Sequence, residues 1–183
     1  MKPLEGFPPI GSERPRILIL GSFPSAASLE RFEYYGHERN QFWPILGAIL
    51  GFSSDAPYAE RVAALAAAGI ALWDVIGACE REGSLDQAIR AEEPNPIGEF
   101  LAARPSVSKL GLNGGKAASA FVSLVAPELK RSDLAIGARL EWRPSFAPDR
   151  LIAAFRLPST SPIPTRDYRR ALDKLPAWVA FLE

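Results

Sequence analysis

The chain has 183 residues, a usual size for one domain with a good core. Hydrophobic residues make up 48% and charged residues 23%, ordinary for a globular protein. Lys plus Arg equals Asp plus Glu at 21 each; that balance counts against a strongly basic nucleic-acid coat but allows a local basic face, since counterion release depends on contacted phosphates.

The lead-in, residues 1–15, is expected to be irregular because Pro3, Pro8, Pro9 and Pro15 prevent a helix. Arg16 to Leu20 reads as a buried parallel strand, closed by Gly21 and followed by a tight loop, Ser22-Phe23-Pro24-Ser25. Asn40 to Leu50 reads as a helix stopping at Gly51, and Tyr58 to Ala68 as a second stopping at Gly69. Ile70 to Trp73 is a second strand with Asp74 at its end, and Cys79 behind it reads as a small core residue.

Ser84 to Ile89 begins with a good N-cap and reads as a short helix; Pro96 to Ala103 is another. Lys109 to Leu112 is a third strand, followed by Asn113-Gly114-Gly115 and a helix over Lys116 to Val125. Leu134 to Trp142 and Leu151 to Phe155 are strand candidates, and Arg166 to Leu182 is a closing amphipathic helix.

Strands alternate with helices along one uninterrupted domain, which predicts a parallel sheet covered on both faces. The loops after Leu20, Trp73, Leu112 and Phe155 should then gather at the carboxyl ends of the strands, where ligands bind in open α/β sheets. Phe23, Asp74, Asn113, Ser159 and Ser161 thereby become one constellation, with Gly21 and Ser22 beside it. The next segment adds Tyr34, Tyr35, His37, Arg39 and Asn40. Its rings can stack on a flat ligand, its planar polar groups can orient a water or a base edge, and Arg can hold a phosphate. Phe23 is either a stacking platform or core. Asn40 either orients a water or caps the following helix. Asn113 either reads a ligand edge or shapes a turn, and Asp74 either bonds the same ligand or forms a turn. His37, the single histidine, is either a donor or a structural residue.

One cysteine cannot close an internal disulfide or hold an iron–sulfur cluster, and with one histidine a structural zinc site is not expected. No metal or cofactor is called for. The N-terminus lacks a signal-peptide core, and no apolar run is long enough to span a membrane, so the expected setting is a reducing cytoplasm, with no membrane partner.

GSFPSAAS at Gly21–Ser28, YYGHERNQFW at Tyr34–Trp43 and LPSTSP at Leu157–Pro162, in this order, resemble the uracil-DNA glycosylase superfamily. The similarity is strongest to its hypoxanthine-DNA glycosylase branch and runs from about Arg16 to Arg170. The resemblance implies a three-layer α/β/α sandwich around a central, mostly parallel four-stranded sheet. It implies a monofunctional, monomeric DNA glycosylase that removes a deaminated base, hypoxanthine first, and leaves an abasic site for base excision repair. Its partner would be DNA containing deaminated bases, with the protein nucleoid-associated when bound. A uracil- or mismatch-directed glycosylase, or a non-catalytic nucleic-acid-binding module on the same fold, are the alternatives.

Such an enzyme must extrude the nucleotide, place a water under an oxocarbenium-like sugar and hold the departing base. In the hypoxanthine branch the asparagine of the RNQFW block is assigned to catalysis, which implies Asn40 as the water-positioning residue. Many relatives carry Asp or Asn in the loop after the first strand; here that loop is Gly21-Ser22-Phe23-Pro24. Uracil-specific families place a histidine where Leu157 stands. Phe23, Asn113, Asp74, Gly21 and Ser22 would bind the base, and Ser159, Thr160, Ser161 and Arg166 the DNA backbone. No lysine sits in a matched motif, so no Schiff-base lyase step is implied.

Overall fold

The structure is a computed structural model that describes residues 3–83, 85–130 and 135–183. In chain order it contains β1 (Leu4–Glu5), β2 (Ile10–Gly11), β3 (Ile17–Gly21), α1 (Ala26–Arg31), α2 (Phe42–Leu50), α3 (Tyr58–Ala67), β4 (Ile70–Asp74) and β5 (Ile76–Glu80). There follow a single 3₁₀ turn (Asp86–Ala88), β6 (Arg90–Pro94), α4 (Ile97–Ala102), β7 (Lys109–Asn113), α5 (Gly115–Leu124), β8 (Arg139–Trp142), β9 (Ile152–Leu157) and α6 (Ala171–Leu182).

The main sheet has the order β2-β4-β3-β7-β9-β8. Its four central strands, β4, β3, β7 and β9, run parallel, as the sequence implied, and β2 and β8 flank them antiparallel. Leu18, Ile19 and Leu20 are fully buried. A central parallel strand is covered on both faces, and so its sequence is a continuous apolar run instead of an alternating one. Each such side chain contributes about 1.5–3 kcal/mol relative to exposure. α3 packs on β2 and β4 and touches α2, and α5 packs on β7. α6 returns to pack on α2 and β9.

Local signals explain most boundaries. In α2 the apolar residues Phe42, Ile45, Leu46 and Ile49 fall at helical spacing, and Gly51 (φ 81°) ends it by returning its N–H to Gly47 O. In α5 the start is set by Gly114 (φ 93°), where a Cβ would lie 2.8 Å from Ser159 Cβ, so the strand-to-helix corner packs directly on the 157–162 loop. Register brings Gly21 level with Asp74 and Asn113 level with Leu157, which aligns the carboxyl ends of all four parallel strands.

Several expectations are corrected. The lead-in is not wholly irregular: Leu4–Glu5 pairs with β5 and Ile10–Gly11 with β4. With β6, strands β1 and β5 form a second, antiparallel sheet that the sequence did not signal, because β6 (RAEEP) is charged and mostly exposed. Helix α1 was also unforeseen; Ser25 caps it by accepting from Ser28 N–H at 3.2 Å. The expected helix over 84–89 is a 3₁₀ turn, and Ser84 lies outside the described residues. The strand expected from Leu134 begins at Arg139; Leu134 itself lies outside the described residues.

The closing helix starts at Ala171, not Arg166. Asp173 accepts from the N–H groups of Arg169 and Arg170, at 2.9 and 2.8 Å, and this capping fixes the true start. No helix among the described residues is long and apolar enough to cross a membrane.

Candidate active site

The four carboxyl ends open into a cleft of about 620 Å³. Of the residues singled out from sequence, Gly21, Ser22, Phe23, Asn40, Asp74, Asn113, Ser159, Thr160 and Ser161 all line it. They come from five separate stretches, and the parallel register brings together those at the strand ends. Arg166 does not line the cleft; it is exposed in the loop that precedes α6, so the expected phosphate contact from a helix start is not built that way.

Asn40 stands one residue before Gln41, the N-cap of α2, where it both supports the helix start and lines the cleft. Its Oδ1 accepts from Phe42 N–H at 3.0 Å, closing the first turn of α2, while its own N–H donates to His37 O at 2.8 Å. Among the described residues, one Oδ1 lone pair and the Nδ2 hydrogens have no partner. His37 also lines the cleft, and its Nδ1 accepts from Arg39 N–H at 3.2 Å, which leaves Nε2 as the ring's other polar atom.

Asn113 is more committed than its position at a strand end suggested. Its Nδ2 donates to the Tyr35 hydroxyl at 2.8 Å and to Thr160 Oγ1 at 2.9 Å. Its Oδ1 accepts from Thr160 N–H at 3.0 Å. Both amide hydrogens are therefore spent inside the protein, and the expected donor to a base edge is not free. Instead Asn113 ties β7, the 157–162 loop and Tyr35 together, and Gln41 N–H donating to Thr160 O at 2.9 Å completes the tie. From behind, Trp178 donates to Pro158 O at 3.2 Å and Lys174 to Ser161 O at 3.0 Å, so α6 braces the same loop.

Phe23 is 6% exposed and belongs to the core while its remaining surface faces the cleft. The Arg81 guanidinium stands 5.1 Å from its ring centroid and donates to Pro24 O at 2.6 Å, fixing the loop from beneath.

Asp74 is 4% exposed and is the most perturbed carboxyl of the cleft. Burial, with the Asp86 carboxylate adding and Arg81 opposing, pushes it up to about 8. Its Oδ2 has no hydrogen-bond partner among the described residues. Burial likewise raises the hydroxyls of Tyr34 and Tyr35, with the Asp74 charge adding to both.

Sequence reasoning missed two participants. Asp86 lines the cleft and accepts from Ser22 Oγ at 2.8 Å; burial raises it, and the Ser22 bond pulls it back. In the sequence it falls within the expected short helix, where an acidic residue near the start draws no notice. Tyr35 reads in the sequence as one ring among several. Its assignment depends on a left-handed backbone (φ 54°) that no local sequence signal gives for a tyrosine.

No family model matches the chain. Over 113 residues, covering 61% of this chain and 72% of the relative, it is 41% identical to a hypoxanthine DNA glycosylase of Methanosarcina barkeri. Over the same shares it is 39% identical to a hypoxanthine DNA glycosylase of Methanosarcina acetivorans. The solution NMR structure of a candidate uracil DNA glycosylase from Methanosarcina acetivorans matches it with a TM-score of 0.72 and 29% identity, covering 98% of this chain and 96% of that one. The backbone likeness takes in the whole sheet that aligns the cleft loops, and the two curated relatives share one name. The chain is a DNA glycosylase and belongs to the hypoxanthine-DNA glycosylase family of the uracil-DNA glycosylase superfamily.

Proposed function

We propose that the chain extrudes a deaminated nucleotide, deoxyinosine in preference, from DNA into this cleft and hydrolyses its N-glycosidic bond, leaving an abasic site. The observation that carries the reading is that Asn40, Phe23 and the Ser159–Ser161 loop, distant in sequence, meet on one cleft. Its size falls within the roughly 300–1,000 Å³ of small-molecule pockets. The flipped base lies against Phe23. Asn40 holds the attacking water through its free Oδ1 lone pair and Nδ2 hydrogens, while its bond to Phe42 N–H fixes the amide's direction. The loop's hydroxyls and N–H groups take the flanking phosphates.

The relatives' name favours hypoxanthine. The structural neighbour carries the name of uracil, which makes uracil the second base to test.

Labelled duplexes with one hypoxanthine, uracil or xanthine, treated with alkali after incubation, decide it. Strand breaks that need alkali, hypoxanthine ahead of uracil, and a decline of at least about 100-fold in Asn40→Ala are expected. Uracil cut faster than hypoxanthine reverses the base preference. Bound but uncut duplexes would leave a non-catalytic binding module.

A further inference from the structure

Two polar groups on the cleft floor approach one point from different elements. A Cβ built on Gly21 would lie 2.2 Å from Asp74 Oδ1 and 2.9 Å from the Tyr35 hydroxyl oxygen. The Tyr35 hydroxyl accepts from Asn113 Nδ2, and no acceptor for its own hydrogen exists among the described residues. Its ring is held by stacking on Phe42, with centroids 4.0 Å apart and planes 18° from parallel. Its left-handed backbone costs about 1–3 kcal/mol, a strain found where surroundings enforce a functional geometry. The Asp74 side chain has no hydrogen-bond partner among the described residues either; only its main-chain carbonyl is engaged, by Asn95 Nδ2 at 2.9 Å. A buried carboxyl and a hydroxyl hydrogen, neither with a protein partner among the described residues, face one cleft where a ligand can satisfy both.

We propose that Tyr35 and Asp74 form a paired donor site for the O6/N7 edge of the departing purine, and that Asn113 is the positioning residue that aims the Tyr35 hydrogen. This rests on the glycosylase reading above. Hypoxanthine presents two acceptors on that edge, as guanine does, whereas adenine presents one acceptor and an amino donor. Two donors therefore accept the deaminated base and oppose the adenine from which it arises. In the step itself the C1′–N9 bond breaks and its electron pair goes to the purine. Water adds to C1′ and releases a proton, and the purine anion takes up a proton from solvent to leave neutral. The donors act on the charge that gathers on the purine during bond breaking, where they are worth most. The raised Asp74 carboxyl keeps the hydrogen that donation needs at neutral pH, held up by burial and Asp86, opposed by Arg81, and faced by Tyr34 and Tyr35. A tyrosine beside a carboxylic acid kept neutral is an arrangement able to hold a developing oxyanion.

The test uses a duplex with a single deoxyinosine, measuring single-turnover excision across neutral and alkaline pH, affinity for the abasic product duplex, and thermal midpoint. Tyr35→Phe should slow excision about 100-fold while product affinity holds, with only a modest fall in midpoint from the lost acceptor for Asn113 Nδ2. Wild type should lose rate about tenfold per pH unit above about pH 8, and Asp74→Asn, whose amide donates at every pH, should lose that decline. Asn113→Asp keeps the acceptor for Thr160 N–H but turns the Tyr35 hydrogen toward itself; it should match Tyr35→Phe, and combining the two should slow excision no further.

Wild type active with Tyr35→Phe within threefold of it overturns the pair. So does a Tyr35→Phe that loses product affinity, since the hydroxyl then only shapes the cleft. A decline persisting in Asp74→Asn removes Asp74 from the site, and additive Asn113 and Tyr35 effects remove the positioning role. Wild type making no abasic sites defeats the glycosylase reading itself.

Discussion

Gly21 and Asp74 stand opposite each other in the β3–β4 register, and a Cβ on Gly21 would lie 2.2 Å from Asp74 Oδ1. The same Cβ would lie 2.9 Å from the Tyr35 hydroxyl oxygen, so both neighbours would have to shift to admit it. Gly21→Ala should therefore cost about 1–3 kcal/mol by overpacking and about 100-fold in excision by moving the floor. Thermal melts and single-turnover rates check both. Wild-type rates in Gly21→Ala would mean that the base does not reach this floor.

Asn40 joins capping to chemistry, and two substitutions separate them. Asn40→Ser keeps an oxygen within reach of Phe42 N–H; Asn40→Ala does not. Only Ala should lose the cap, about 1 kcal/mol of stability, whereas both should lose at least about 100-fold in single-turnover rate. Recovery of the rate by Ser would reduce Asn40 to a cap.

Lys174 provides a test of how the 157–162 loop is held. It is 2% exposed, burial lowers its ammonium, and its Nζ donates to Ser161 O. It braces the loop from inside, with its ammonium engaged by the Ser161 carbonyl. Lys174→Met should weaken abasic-duplex binding about tenfold while leaving the salt dependence of binding unchanged. Loss of roughly one unit of slope would instead place the ammonium on a phosphate.

The parallel core and the gathering of its loops were legible because β3, β4 and β7 are short apolar runs followed by turn residues, a pattern set by burial on both faces. The second sheet was not, since β6 is a charged edge whose pairing is decided by β5 and not by its own side chains. Within the site, Phe23, Asn40 and Asp74 could be named from residue type and position. The division of labour between Asn113 and Tyr35 could not. It depends on where two amide hydrogens point, and those directions come from Thr160, 47 residues away.

Asp74 also predicts how stability varies with pH. Its carboxyl is raised in the folded protein to about 8, so between the usual carboxylate range and pH 8 the folded state holds a proton that the unfolded chain has released. The contribution is complete in acid, declines as pH rises through that window at about 1.4 kcal/mol per pH unit, and is flat above it. Asp86, raised in the same direction, adds to the slope, so Asp74→Asn should leave a shallower decline and not none. Arg81 opposes the shift; Arg81→Met removes that charge and should carry the decline beyond pH 8, at some cost to the Phe23–Pro24 loop it supports. Chemical denaturation of the three proteins at a series of pH values measures this, and a wild-type stability level across the window would mean that Asp74 is ionised in its cleft.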